Sequence, residues 1–255
     1  MYPDVPLPTE IDDDSCPSND LDSYMFQTVG VEVIPLIAEC MQKPLLRAPI
    51  KGTALNQDMN YEKAENTNEG DGKIDEIEEL YELVKQAKET YNIEAVCSGA
   101  ILSDYQRIRV ENICKRLNLT SLAYLYKKDQ SELLNQMIEN RLDARIIKIA
   151  SFGLDTSFLM KSISELQSRL EDLKVKHQIN VCGEGGEYES IVLDCPLFIN
   201  NRIKVDEYKV VTIDDDEYAP VAHIVFIKFG LEAKETEDPI ELYPTSEEES
   251  KVNEG

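Results

Sequence analysis

Apolar positions in this chain recur with two periods, and their alternation lays out a series of strands and helices. Residues 93–101 are almost uninterrupted apolar sequence with a glycine near the end, the pattern of a strand covered on both faces of a parallel sheet. Immediately afterwards Val110, Ile113, Cys114 and Leu117 fall at i, i+3, i+4 and i+7, while Arg107, Glu111 and Lys115 take the opposite face. Ser103 and Gln106 have the spacing of a capping box, which predicts a helix starting at about Asp104. A helix N-terminus at the carboxyl end of a parallel strand gathers free amides and the positive end of the helix dipole. A ligand would meet the chain at that turn. The same residues also suit an ordinary capped helix with an i,i+4 pair between Arg107 and Glu111.

The periodicity continues in both directions. Met25, Val29, Val33, Ile37 and Met41 have helical spacing, and Pro35 among them predicts a kink or two shorter helices. Residues 44–50 read as a short strand and residues 51–72 as a polar surface loop. Ile74, Ile77, Leu80, Tyr81, Val84 and Ala87 mark an amphipathic helix. Beyond Leu117 the pattern gives a strand near 121–125, a helix from Asp129 with Glu132 completing its capping box, and a strand at 144–149. A long helix follows, marked by Leu159, Ile163, Leu166, Leu170 and Leu173 and running to about His177. Strands separated by helices imply right-handed βαβ units and a parallel sheet. Strand segments at 190–195, 203–213 and 221–229 then succeed one another without a helix, which predicts a smaller, largely antiparallel layer. The fold class is therefore α/β, a parallel sheet with flanking helices plus a smaller α+β subdomain.

Composition changes this picture at the two ends. Residues 1–22 hold seven acidic residues, four prolines and no basic residue, too little apolar surface to repay the entropy of ordering. The expected organisation is a disordered acidic leader at 1–20, an α/β domain at 21–150, a smaller subdomain at 151–231 and a disordered acidic tail at 232–255. A formal net charge of -24 argues against nucleic acid or an anionic membrane as partner, since both are bound through clustered Lys and Arg. No stretch is long and apolar enough to span a bilayer, and the amino terminus has neither a basic segment nor an apolar run. Six cysteines show no CxxC pairing, and Cys97 and Cys114 occupy positions expected to be buried, so they read as reduced core thiols. These features point to a cytoplasmic protein. His177 and His223 lack HxxH or HxH spacing, and no metal site is expected from protein ligands.

A second constellation, CGEGGEYES at 182–190, gathers three glycines and three glutamates around Tyr188. Phosphate cradles surround their glycines with Lys, Ser or Thr, whereas carboxylates repel phosphate unless a metal intervenes. The chemistry suits Mg²⁺, ammonium, or a quaternary ammonium facing the Tyr188 ring. In an extended segment Glu187 and Glu189 would point to the same face. A glycine-rich turn with solvated carboxylates satisfies the same residues.

Three motifs, DSYMFQTVG at 22–30, GAILSDYQRIRVENICKRL at 99–117, and GEGGEYES with LDCPLF at 183–198, together resemble the diphthine-ammonia ligase family. The resemblance covers roughly residues 21–229. It implies an adenine-nucleotide α-hydrolase (HUP) fold of the ATP pyrophosphatase type with a smaller carboxyl-terminal subdomain. The implied reaction uses ATP, with Mg²⁺, to activate diphthine on translation elongation factor 2 as an acyl-adenylate, which ammonia then converts to diphthamide. By the same resemblance Gly99, Ser103, Asp104, Tyr105, Gln106 and Arg107 would surround the nucleotide. Glu184, Glu187 and Glu189 would be catalytic, and Gly183, Gly185, Gly186 and Tyr188 would hold the diphthine side.

Family members carry a hydrophobic strand and an SGGKDS-type loop ahead of the first motif, and no such stretch occurs in these 255 residues. Tyr126 also stands where the family pattern has Trp. The nucleotide domain is thus expected to be incomplete in its central first strand, and the chain by itself is expected not to catalyse amidation. A non-catalytic module that binds elongation factor 2 or a nucleotide is the alternative.

Overall fold

A computed structural model describes residues 25–56, 61 and 75–234. The first helix, α1 (Ile34–Cys40), holds Pro35 in its first turn instead of being kinked by it, because the first turn is where a missing amide costs least. Val33, Leu36 and Cys40 are buried by this arrangement. Residues 44–50 form no strand and are mostly exposed, so the short strand expected there is absent. Most of the polar loop expected at 51–72, the leader, and the tail beyond Lys234 lie outside the described residues.

The helix α2 (Glu76–Tyr91) is capped by Asp75, whose carboxylate accepts from Ile77 N at 3.0 Å. It leads to β1 (Ala95–Cys97), which pairs in parallel with β2 (Thr120–Leu122) across the intervening helix α3 (Asp104–Leu117). This is the expected strand, turn and helix, but the strand is three residues long and only half-buried. Among the described residues β1 pairs with β2 alone. Cys97 is consequently exposed, not a core thiol, while Cys114 on α3 is buried as expected.

A larger core surrounds an antiparallel sheet in the order β4-β3-β6-β5, formed by β3 (Asp143–Ile149), β4 (Tyr188–Asp194), β5 (Asn201–Asp214) and β6 (Val221–Ala233). The strand expected to extend the parallel series is β3, and it pairs antiparallel with both β4 and β6. Ile146, Ile147 and Ile149 are fully buried, and such a run fits any central strand; contacts far along the chain decide its partners. Two further helices add to this core: α4 (Gln130–Glu139), capped by Asp129 on Ser131 N and Glu132 N, through Leu134, and α5 (Ile163–His177) through Ile163, Leu166 and Leu170. A complete capping box between Ser162 and Glu165 starts α5, a signal the periodicity alone did not mark. β6 runs past the expected start of the tail, and Lys234 is tied to the fold through its amide on Asn200 O.

Candidate functional site

The turn between β1 and α3 is built as its residues require. Ser103 is extended, and its hydroxyl accepts from Gln106 N at 3.2 Å, closing the first turn of α3. Ser103→Ala is expected to cost about 1 kcal/mol of stability for this cap, measurable by urea unfolding, and an unchanged midpoint would show the cap to be idle. Asp104 forms a compact polar cluster with its neighbours. It accepts from Arg107 at 2.9 Å and from the phenol of Tyr126, and Arg107 also pairs with Glu111 at 2.6 Å and lies 4.6 Å over the Tyr126 ring. The Tyr126 hydrogen bond, then Arg107, hold the Asp104 carboxyl below the usual carboxylate range. Tyr126 thus has a defined partner in the turn.

Behind the turn lies a residue that the sequence pattern assigned no role. Arg109 is completely buried, with its guanidinium 3.2 Å from the centroid of the Tyr105 ring and 5.2 Å from that of Tyr61. It donates to the carbonyls of Tyr105 and Asn56. Residue type hides this position, but phase reveals it: Arg109 stands four residues before Ile113, on the apolar stripe of α3.

The glutamates of residues 183–190 provide the link between distant segments. Glu184 reaches across to the α3 turn, and one of its carboxylate oxygens accepts from Ile101 N at 2.8 Å, Leu102 N at 2.9 Å and Ser103 N at 3.0 Å. Glu189 accepts from Thr28 N at 3.2 Å, Val29 N at 3.1 Å and the Thr28 hydroxyl at 3.1 Å, with the Lys148 ammonium 3.5 Å away. Glu187 turns back onto its own loop, accepting from Asn180 N and Gly185 N, each at 2.7 Å. Glu187 and Glu189 therefore do not work on one shared face.

Tyr188 points into the core. Its hydroxyl donates to Val181 O at 2.7 Å, and burial pushes the phenol pKa well up. It is not placed to offer its ring to a quaternary ammonium at the surface. Burial also pushes the neighbouring Cys182 thiol up to about 11. Gly183 has φ +76, and a Cβ there would sit 2.7 Å from Tyr188 O, so the close approach needs glycine. Gly185 and Gly186 are exposed, and side-chain positions at Gly99 and Gly186 face open space. The first three residues of the motif at 22–30 lie outside the described residues.

A separate cavity of about 580 Å³ lies between α1 and β4, lined by Val29, Ile34, Ile37, Leu142, Ile191 and Leu197 among others. Among the described residues its walls carry no charged side chain, which does not suit a polyphosphate or an ammonium ion. Among the described residues no group of His, Cys, Asp and Glu is arranged to hold a metal ion. The glutamates that would have served Mg²⁺ are directed at amide donors, which does not fit a cation site. No described helix is long and apolar enough to cross a membrane.

These contacts define a mixed α/β protein with a small parallel sheet and an antiparallel sheet, in which one acidic, glycine-rich loop clasps backbone from two distant segments. Family comparisons agree with that division. The Diphthamide synthase N-terminal domain model matches residues 15–121 and the Diphthamide synthase C-terminal domain model matches residues 129–225. Diphthine–ammonia ligase of Homo sapiens is 48% identical over 230 residues, covering 90% of this chain and 82% of that protein. The Danio rerio protein of the same name is 46% identical over 222 residues, covering 87% and 84%. The Saccharomyces cerevisiae one is 41% identical over 203 residues, 73% of this chain and 28% of that protein. The chain belongs to the diphthamide synthase family.

Proposed function

We propose that this protein takes part in ATP-dependent amide formation, converting diphthine on translation elongation factor 2 to diphthamide. In the proposed reaction the diphthine carboxylate attacks the α-phosphorus of ATP and pyrophosphate leaves, giving an acyl-adenylate. Ammonia then adds its lone pair to the acyl carbon, the bond to AMP breaks, and a proton is shed as the amide forms. The observation that supports this most is the Glu184 contact, which brings the acidic glycine-rich loop against the turn that opens α3. A two-step ligation needs its nucleotide and acceptor regions side by side. Ser103, Asp104, Tyr105, Gln106 and Arg107 with Gly99 would form the nucleotide side. Residues 183–189 would form the acceptor side, with their carboxylates acting mainly by holding backbone. Any Mg²⁺ would arrive with the nucleotide.

The test supplies ATP, Mg²⁺, ammonium and diphthine-bearing elongation factor 2 to the 255-residue chain. A parallel reaction uses the same chain with the family's SGGKDS-bearing segment joined ahead of the first motif. Mass spectrometry of the factor should show ATP-dependent replacement of the carboxylate by an amide, with AMP released, in the joined protein and none with the chain alone. Equal amidation by both would show that the loop is dispensable. Absence of amidation in both, with the factor still bound, would replace the ligase proposal by a binding module.

A further inference from the structure

Each glutamate of the 183–189 segment ends on backbone amides, but only Glu184 reaches the turn ahead of α3. Its partners lie 81 to 83 residues away in the chain, and all three are main-chain donors. The Ser103 hydroxyl already serves Gln106 N inside the helix, so Glu184 supplies the acceptor for the amides upstream of that cap. Leu102 is 50% exposed, and its amide donates to Glu184. Hydrogen bonds from amides to a carboxylate are roughly twice as strong as neutral ones, and an anion beside a helix N-terminus is further favoured by the dipole. Gly183 with φ +76 on one side and Gly185 on the other give the loop the backbone freedom to aim the side chain there.

We infer that Glu184 is a positioning residue: it meets neither nucleotide nor acceptor, and it fixes the spacing between the α3 turn and the glycine-rich loop through the three amides of residues 101–103. The assignment of those two segments to nucleotide and acceptor rests on the proposed function; the clasp does not. The test therefore reads the clasp without substrate, by amide hydrogen exchange on the full chain. In Glu184→Ala the amides of Leu102 and Ser103 should exchange roughly tenfold faster or more, while β5 and β6 keep their protection. Glu184→Gln, which keeps an oxygen acceptor without the charge, should fall between the two. Added acetate should restore slow exchange in Glu184→Ala and leave the parent chain unaffected, because a free carboxylate can refill the place between the three amides. Unchanged exchange in Glu184→Ala, or accelerated exchange that acetate does not reverse, would overturn the inference. In the joined protein, loss of kcat in Glu184→Ala with acetate rescue is the expected result. A loss of kcat in Glu184→Ala while the amides of Leu102 and Ser103 keep their slow exchange would assign Glu184 to substrate and overturn the positioning role. Failure of amidation in every sample would instead count against the ligase proposal, with the exchange result still deciding the clasp.

Discussion

Arg109→Ala should lower the unfolding free energy by about 3 to 5 kcal/mol, since it empties a fully buried position and removes the guanidinium that donates to the Tyr105 and Asn56 carbonyls. The guanidinium fills the space between the Tyr105 and Tyr61 rings, and the core around it is small. Among the described residues its buried apolar members are Tyr61, Ile77, Ile113 and Leu117. Losing one large side chain there removes a sizeable share of the packing that holds α3 on α2. Arg109→Met keeps much of the volume and loses the hydrogen bonds and the charge over the rings, so it should cost less than Arg109→Ala. Urea unfolding of the three proteins checks the order, and an Arg109→Ala penalty below about 1 kcal/mol would show that the rings close over the gap without loss. Tyr105 stands on the proposed nucleotide side, so the same variant should also weaken nucleotide binding in the joined protein.

A second large effect is expected from Glu189→Ala, about 2 to 4 kcal/mol, because it strips the acceptor from Thr28 N, Val29 N and the Thr28 hydroxyl together. These contacts pin residues 28–29 beside β4, and the chain then enters α1, whose Val33, Leu36 and Cys40 lie in the main core. Gly30 follows directly with φ +83, where a Cβ would touch Ile147 Cδ1 at 3.0 Å, so the segment has one narrow path onto the sheet. Glu189→Gln retains one acceptor oxygen but turns an NH₂ toward other donors, and an intermediate loss should result. Limited proteolysis provides the second readout: cleavage within residues 25–33 should accelerate in Glu189→Ala before cleavage within β5 or β6. Equal protection of that segment in parent and variant would rule out the carboxylate as its anchor.

Local chemistry was legible wherever it was self-contained. Ser103, Asp129 and the apolar stripe of α3 located their helices to within a residue or two, because a cap and a 3.6-residue period are written in neighbouring positions. The partner of β3 was not legible, since Arg145 to Ile149 reads the same in a parallel or an antiparallel sheet and its neighbours come from residues 188–194 and 222–223. Cys97 was misplaced for a related reason. An apolar run predicts burial only when a strand and helices cover it, and among the described residues β1 has one partner. At the site, the acidic loop and the α3 turn were both visible in sequence as separate motifs. That Glu184 would bridge them was not, because no periodicity relates residues 101 and 184. Arg109 has no role in the sequence reading, although its phase four residues before Ile113 places it inside.

The hairpin of β5 and β6 carries a consequence for the order in which the chain assembles. Its two strands are joined by a short loop and pair from Asn201 with Ala233 to Asp214 with Val221, so their pairing can start at the loop and extend outward. Hairpins of this kind form on a timescale of about 1 to 10 μs, whereas closing contacts between distant residues must first overcome loop entropy. The Glu184 clasp closes a loop of more than 80 residues and needs both the α3 turn and the start of β4 in place. In refolding, the β5–β6 hairpin should therefore gain protection before the amides of residues 101–103, which makes the joining of the two motifs a late event of folding.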